Sequence, residues 1–474
     1  MAKENTQKTV DIFIKDATVI TLDDQRRVIR DGGVVIEGNT IKKVGKSIDL
    51  EQRYNPARTI NAKGRVLLPG FIDAHVHANQ SFVKSLIHGE PYLYWSRIFR
   101  PFEYVMTEED SYIATLLHIL TSIRMGITCF VETGSYFPDV MGKAVVETGI
   151  RCVLSRLTMD TKGDLPHSDQ GILPDETTEQ GLERSNEFVE RWHGQADGRI
   201  RAWLSMHMLQ ICSDELYSGA KELADKFGVG VQTHLCSVRA ETDYSLLRWG
   251  RRPIEHLDDL GVLGPNFLIH HGVLVSDSDI RLLAERGVGV VHCPNSVVMA
   301  KQGIPRIPQM IDAGVTVALA GDGYFCDQIE LMKFAEAYLI SHWAERYNDP
   351  NVLLPETLLE MATLNGAKVV SWDDEIGSIQ AGKKADLITM KVGGQVHQTP
   401  HWDLLAELVH HSYSSDIETV IVDGKILMED RKVLVLDEEE ILRKGQEHAE
   451  RVFRDGNERG LIRKFQKLER WPFE

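Results

Sequence analysis

Two histidines open the chemical argument. In PGFIDAHVHA, His75 and His77 stand two residues apart at the end of an apolar run. On a β-strand that spacing places both side chains on one face, where two imidazoles can meet one divalent cation. Other apolar runs end the same way: GVGVQTHL in His234, NFLIHHGV in His270 and His271, and VTVALAGDG in Asp322. Histidines that serve only as packing need not recur at strand ends with this regularity. Three imidazoles and a carboxylate suit Zn²⁺, and also Fe²⁺ or Co²⁺, so one divalent ion is expected, zinc by preference. A cation so held lowers the pKa of its water from about 15.7 to near 7, and the hydroxide can attack an electrophilic carbon.

The elements that must position these residues are legible as an alternation. Between about residues 65 and 373, the runs RVLLPGFIDAH, ITCFVE, RCVLSRLTM, RIRAWLSMH, GVGVQTHL, NFLIHHGV, GVGVVHCPN and VTVALAGDG alternate with amphipathic stretches such as SYIATLLHILTSIR and SDSDIRLLAERG. SDEL and SDSD supply N-caps. Apolar strands alternating with helices predict a TIM-type (β/α)₈ barrel, with the ligand residues at its C-terminal mouth. An open doubly wound sheet is the alternative, and it would carry a Gly-rich turn after its first strand, which this sequence lacks. The flanks VDIFIKDATVITLDD, GGVVIEGNTIKKVGK and IETVIVDGKILMED are β-branched and broken by turn signals. They predict a small β-sandwich built from both ends of the chain. The expected division is 1–67 with 374–440 for that unit, 68–373 for the metal-dependent barrel, and 441–474 for a polar helical tail.

Bulk properties exclude several classes. The 474 residues carry a formal net charge of −17, with no basic block. That argues against nucleic acid and against a polyanionic substrate. Cys129, Cys152, Cys212, Cys236, Cys293 and Cys326 form no CxxC pair, as reduced thiols in a cytosol would not. The N-terminus MAKENTQKTV has no apolar core, and no run approaches the ~18 residues of a membrane span. A cytoplasmic enzyme acting on a small molecule, away from membranes, is expected.

The ordered series PGFIDAHVHANQ, THL, HHGV, HCPNS, GDG, EMATLNGAK, EIGSIQAGKKADL and VIVDGK resembles the motifs of the amidohydrolase superfamily. The nearest subgroup holds atrazine and triazine hydrolases and the adenosine-, guanine- and cytosine-type deaminases. The resemblance implies a mononuclear metal set of His75, His77, His234 and Asp322. It implies that His271, followed by Gly272 and Val273, holds or deprotonates the attacking water, a role for which His270 competes. Asp322 would move protons alongside it. His207, with Cys212 and Ser213 five and six residues on, resembles a substrate-facing histidine. Gln80, Trp95 and Glu103 fall where the subgroup's first loop lines the substrate site, although Trp95 also suits core packing and Glu103 a helix start. Homo-oligomers are common among such proteins, and one is expected here by analogy.

One departure matters most. The subgroup carries a Glu three residues after the fifth-strand histidine, to protonate a ring nitrogen; here Ser237 stands there. A serine hydroxyl has no useful acidity near neutral pH. Glu241, four residues on, would share a helical face with Ser237 and is the candidate replacement; its competing reading is a solvated helix residue. The sequence also reads Ser296-Val297 where Ser-Asn is common, and Ala320-Gly321-Asp322-Gly323 where Gly-Thr-Asp-Gly is common, followed by bulky Tyr324 and Phe325. The expected reaction is hydrolytic deamination or dechlorination of an N-heteroaromatic compound. Hydrolysis of an amide, carbamate or urea, which needs no ring protonation, is the alternative that Ser237 favours. A non-catalytic scaffold is the reading from another class, and such proteins usually lose metal ligands.

Overall fold

The computed structural model describes residues 7–87, 95–161, 176–323, 325–347 and 351–462. Eight parallel strands follow one another in sequence order: Phe71–Val76, Ile127–Glu132, Arg151–Thr158, Ile200–Met208, Val231–Leu235, Phe267–His271, Gly289–His292 and Val317–Leu319. A parallel bridge between Val76 and Asp322 brings the end of the last strand back to the first, which closes a (β/α)₈ barrel and excludes the open sheet. Most of these strands are buried along their whole length, with helices outside and packed side chains within, so they read as continuous apolar runs. The expected caps form. Ser213 Oγ accepts from Leu216 N at 3.0 Å, and Ser276 Oγ accepts from Asp279 N at 3.1 Å.

RVLLPGFIDAH makes two strands rather than one. Arg65–Pro69 pairs with Leu387–Lys391 and Lys8–Ile20 in a second sheet, and Phe71–Val76 enters the barrel. Gly70 permits the change of sheet, because a Cβ there would lie 2.1 Å from Thr128 Oγ1. The second sheet is mixed and nine-stranded, and it joins the two ends of the chain. Ile14, Val34 and Leu67 from one end share a buried cluster with Leu387 and Ile421 from the other. Arg151, at the base of the third barrel strand, is buried and donates to Asp386 at 2.7 Å, which ties the barrel to that sheet. Helix Glu438–Glu458 is capped by Asp437 and packs on helix Glu108–Arg124, where Asp110 meets His448 at 2.7 Å and also pairs with Arg451. Residues 463–474 of the expected tail lie outside the described residues. Among the described residues, no helix is long and apolar enough to cross a membrane.

Candidate metal centre and substrate pocket

The first, fifth, sixth and eighth barrel strands deliver one cluster. His75 lies inside the first strand, fully buried, and His77 just beyond its end. Parallel register aligns His234 with His270 and Leu235 with His271. Asp322 follows the eighth strand, and its backbone N donates to His75 O at 3.0 Å. His75 Nε2 stands 3.5 Å from Asp322 Oδ1, His77 Nε2 3.8 Å from the same oxygen, and His271 Nε2 4.0 Å from Oδ2. His77 Nε2 and His234 Nε2 are 3.3 Å apart. His75 with His234 and His271, and His75 with His77 and Asp322, are two sets whose donor atoms lie within 4.8 Å of one another.

The donor set fits a divalent cation. Both ring nitrogens of His75 are buried and make no hydrogen bond among the described residues. His234 donates Nδ1–H to His207 O at 2.9 Å, which leaves Nε2 as its free lone pair. Burial, reinforced by neighbouring imidazoles, holds His77 and His234 well below the usual imidazole range and brings His271 down to about 4. All are therefore neutral, the form that ligates. Burial opposes the charge on Asp322, but the imidazoles, His75 foremost, overcome it and hold this carboxyl well below the usual range. Its oxygens accept from Ser296 Oγ at 2.5 Å and Gly323 N at 2.8 Å. His270 does not face Asp322 in this way; its Nε2 bonds Gln232 Oε1 at 2.9 Å.

A second group gathers beside this one. His207, on the fourth strand and fully buried, has its ring 4.8 Å from that of His234. Trp95 stacks on His207 at 5.1 Å. Gln80 Nε2 donates to Glu103 Oε1 at 3.0 Å, and Gln80 Oε1 packs so closely on Gly323 that a Cβ there would approach to 1.9 Å. Thus Gln80, Trp95, Glu103 and His207 come together in one group beside His234. Arg100 was not foreseen. It is buried, donates to Glu103 Oε2 at 3.0 Å, lies 3.0 Å from the His207 ring nitrogens, and sits over Trp95 at 5.1 Å. Burial raises the Glu103 carboxyl, with Arg100 and Gln80 pulling the other way. Glu132 was also missed. It ends the second strand, accepts from Ala78 N at 2.9 Å, and is pushed up to about 8 by burial. In this way it fixes the turn that follows His77.

Ser237 lies two residues past the end of the fifth strand, and no carboxyl occupies its position. Glu241 is not the solvated helix residue that its sequence context also allowed. It is 1% exposed, and its Oε2 accepts from Ser237 N at 3.1 Å. Oε1 is buried and makes no hydrogen bond among the described residues. Burial pushes this carboxyl up to about 8, against the pull of backbone N–H groups. Cys212 is buried, with its Sγ 3.6 Å from Thr158 O, and Ser213 caps helix Asp214–Phe227. The carbonyl of Phe325 lies where a Cβ on Gly321 would sit, at 1.6 Å. Tyr324 lies outside the described residues.

Comparison with known proteins agrees with this geometry. The amidohydrolase family profile matches residues 66–427. A 5′-deoxyadenosine deaminase of Methanosarcina mazei is 34% identical over 93% of this chain and 98% of its own. A 5-methylthioadenosine/S-adenosylhomocysteine deaminase of Syntrophomonas wolfei is 33% identical over 93% and 99%. Among solved structures, a zinc-bound adenosine deaminase from Xanthomonas campestris superposes with a TM-score of 0.86 at 25% identity, covering 95% of this chain and all of that one. A zinc-bound atrazine chlorohydrolase from Arthrobacter aurescens shares the fold, with a TM-score of 0.81 at 24% identity over 92% of this chain and all of that one. With its barrel inside the matched region, the chain belongs to the amidohydrolase family and is a hydrolase acting on C–N bonds.

Proposed function

We propose that this enzyme deaminates a 5′-modified adenosine by hydrolysis, replacing the exocyclic amine with oxygen and releasing ammonia. The observation that carries the reading is the joint one. A buried three-histidine, one-carboxylate cluster lies at the barrel mouth, in a chain aligned over more than nine-tenths of its length with adenosine-type deaminases. His75, His77, His234 and Asp322 are the proposed ligands of one zinc ion. What the ion supplies there is Lewis acidity toward water near neutral pH.

The protein's own groups then divide the remaining work. Asp322 is an anion held by Ser296 and Gly323, placed to take a proton from the attacking water and hand it to the leaving amine. His271 orients that water from the opposite carboxylate oxygen. His207, Trp95, Gln80 and Glu103 form the substrate wall, with Arg100 among them. Glu241 is the group assigned to the ring-nitrogen proton, because its carboxyl is raised to about 8 and therefore carries that proton at neutral pH. It adjoins Ser237, the position where the acid is otherwise found.

Ser237 also supports a second reading, hydrolysis of an amide, carbamate or urea. The test is a substrate panel on zinc-loaded protein: 5′-deoxyadenosine, 5-methylthioadenosine, S-adenosylhomocysteine and adenosine against simple amides, carbamates and ureas. Ammonia with the hypoxanthine-type ultraviolet shift is expected from the nucleosides. Turnover confined to the second panel would replace the first reading with the second.

A further inference from the structure

On a chain of net charge −17, one concavity reverses the local sign. A cavity of about 500 Å³ lies between helix Arg239–Trp249, the Val273–Val275 segment, the loop around Arg306 and helix Gln328–Tyr347. Arg239, Arg252, Arg306, Arg346 and His342 line it, and Asp243 is the one carboxylate in the wall among the described residues.

The pairing of these arginines leaves donors free. Arg239 meets Asp243 at 3.3 Å, with both side chains half exposed or more. Arg252 bonds Asp279 and Leu274 O, each at 2.6 Å, and Arg306 meets Asp277 at 2.5 Å. Arg346 lies over the Trp343 ring at 5.4 Å and pairs with no carboxylate among the described residues. Four guanidinium groups thus face three carboxylates. Each has five N–H donors, in a fork that matches two oxygens of a phosphate. An independent observation points inward as well. Thr242, 7% exposed and part of the same wall, has a buried hydroxyl with no hydrogen-bond partner among the described residues.

The place is separate from the catalytic cluster but joined to it. Val273 N and Leu274 N both donate to Cys236 O, at 3.1 and 2.9 Å, so the cavity wall hangs from the loops that follow His234 and His271. We propose that this cavity is a binding site for a small phosphate-bearing anion, held by the arginines and Thr242 and distinct from the substrate pocket. The volume, bounded by four segments, suits a small molecule.

The test uses zinc-loaded enzyme and inorganic phosphate, titrated by calorimetry against chloride at constant ionic strength. Saturable binding of about one equivalent is expected. The double variant R239E/R346E, both positions exposed, is expected to weaken it at least tenfold with basal hydrolysis unchanged. Should the double reversal lower the melting temperature, R239A and T242V carry the same comparison without reversing charge. No saturable binding by the wild type would overturn the proposal. So would undiminished binding in the variants, which would place the phosphate at the metal centre instead.

Discussion

The Nε2 atoms of His77 and His234 oppose each other at 3.3 Å, on rings stacked within 10°. Nδ1–H of His234 is committed to His207 O, so its neutral ring has only a lone pair to offer there. A divalent cation between them would draw on both Nε2 lone pairs, where the metal-free rings can share only a single N–H···N hydrogen bond. Removal of metal by a chelator is therefore expected to lower the melting temperature reversibly. At free zinc a thousandfold above Kd, the stabilisation is about 4 kcal/mol. Calorimetry with and without dipicolinate measures it, and an unchanged transition together with less than half an equivalent of bound metal would leave the cluster without a metal-binding role.

Asp322→Asn keeps the shape that Ser296 and Gly323 clamp but removes the negative charge. Loss of a positioned proton carrier costs about 10² to 10⁴ in rate. A fall of that order in kcat, with a native circular dichroism spectrum, is expected. Wild-type turnover in D322N would end the proposed role.

Glu241 makes a prediction in pH. Its carboxyl is raised from 4.5 to about 8, so the acid form is present below that value and lost as pH rises through it. If it supplies the ring proton, deamination falls above about pH 8, and E241Q is slow with no such limb. The same shift acts on stability. The folded state keeps a proton that the unfolded chain releases, so stability declines as pH rises from 4.5 through about 8. E241Q is expected to flatten that decline. Installing the missing acid with Ser237→Glu is expected to raise deamination and to make it independent of Glu241. An E241Q enzyme with the full wild-type pH profile would leave Glu241 a purely structural clasp on Ser237 N.

The barrel was readable because parallel barrel strands are buried on both faces, and eight unbroken apolar runs alternating with amphipathic helices suit few folds besides it. The metal residues were readable because they end those runs. Glu132 also ends one, ITCFVE, but a single carboxylate at a strand end carries no spacing signature of its own. Arg100 was invisible for a different reason. FRPFE looks like any solvated helix start, and only tertiary packing against Trp95, Glu103 and His207 buries its guanidinium. The break at Gly70 was hidden because the apolar text runs on across it; the clash with Thr128 exists only in three dimensions.

Arg100→Met tests that buried network. Removing one partner of a buried ion pair leaves the other charge unpaired, at a cost of about 3–5 kcal/mol. The Glu103 carboxyl would retain Gln80 alone. A lower melting temperature and about a tenfold higher KM are expected for R100M. R100M/E103Q should regain much of the stability but not the KM, because the neutral amide needs no counter-charge while the substrate wall stays altered. Equal loss of stability in the single and double variants would show that Arg100 acts through packing rather than through Glu103.

Gly321 accounts for a departure from the family pattern. Its Cα faces the Phe325 carbonyl so closely that a Cβ would lie 1.6 Å from that oxygen, and backbone cannot yield as a flexible side chain can. Its N–H also donates to Asp73 Oδ1 at 3.0 Å, at the strand that carries His75. Gly321→Thr, which restores the common family residue, is thus expected to fail here. It must push the 325 loop outward and drag Asp322 with it, costing about 1–3 kcal/mol or more by overpacking. Zinc affinity, read by competition with a chromogenic chelator, should fall along with the melting temperature. G321T with wild-type zinc affinity and stability would show that the loop relaxes freely and that the glycine has no part in placing Asp322.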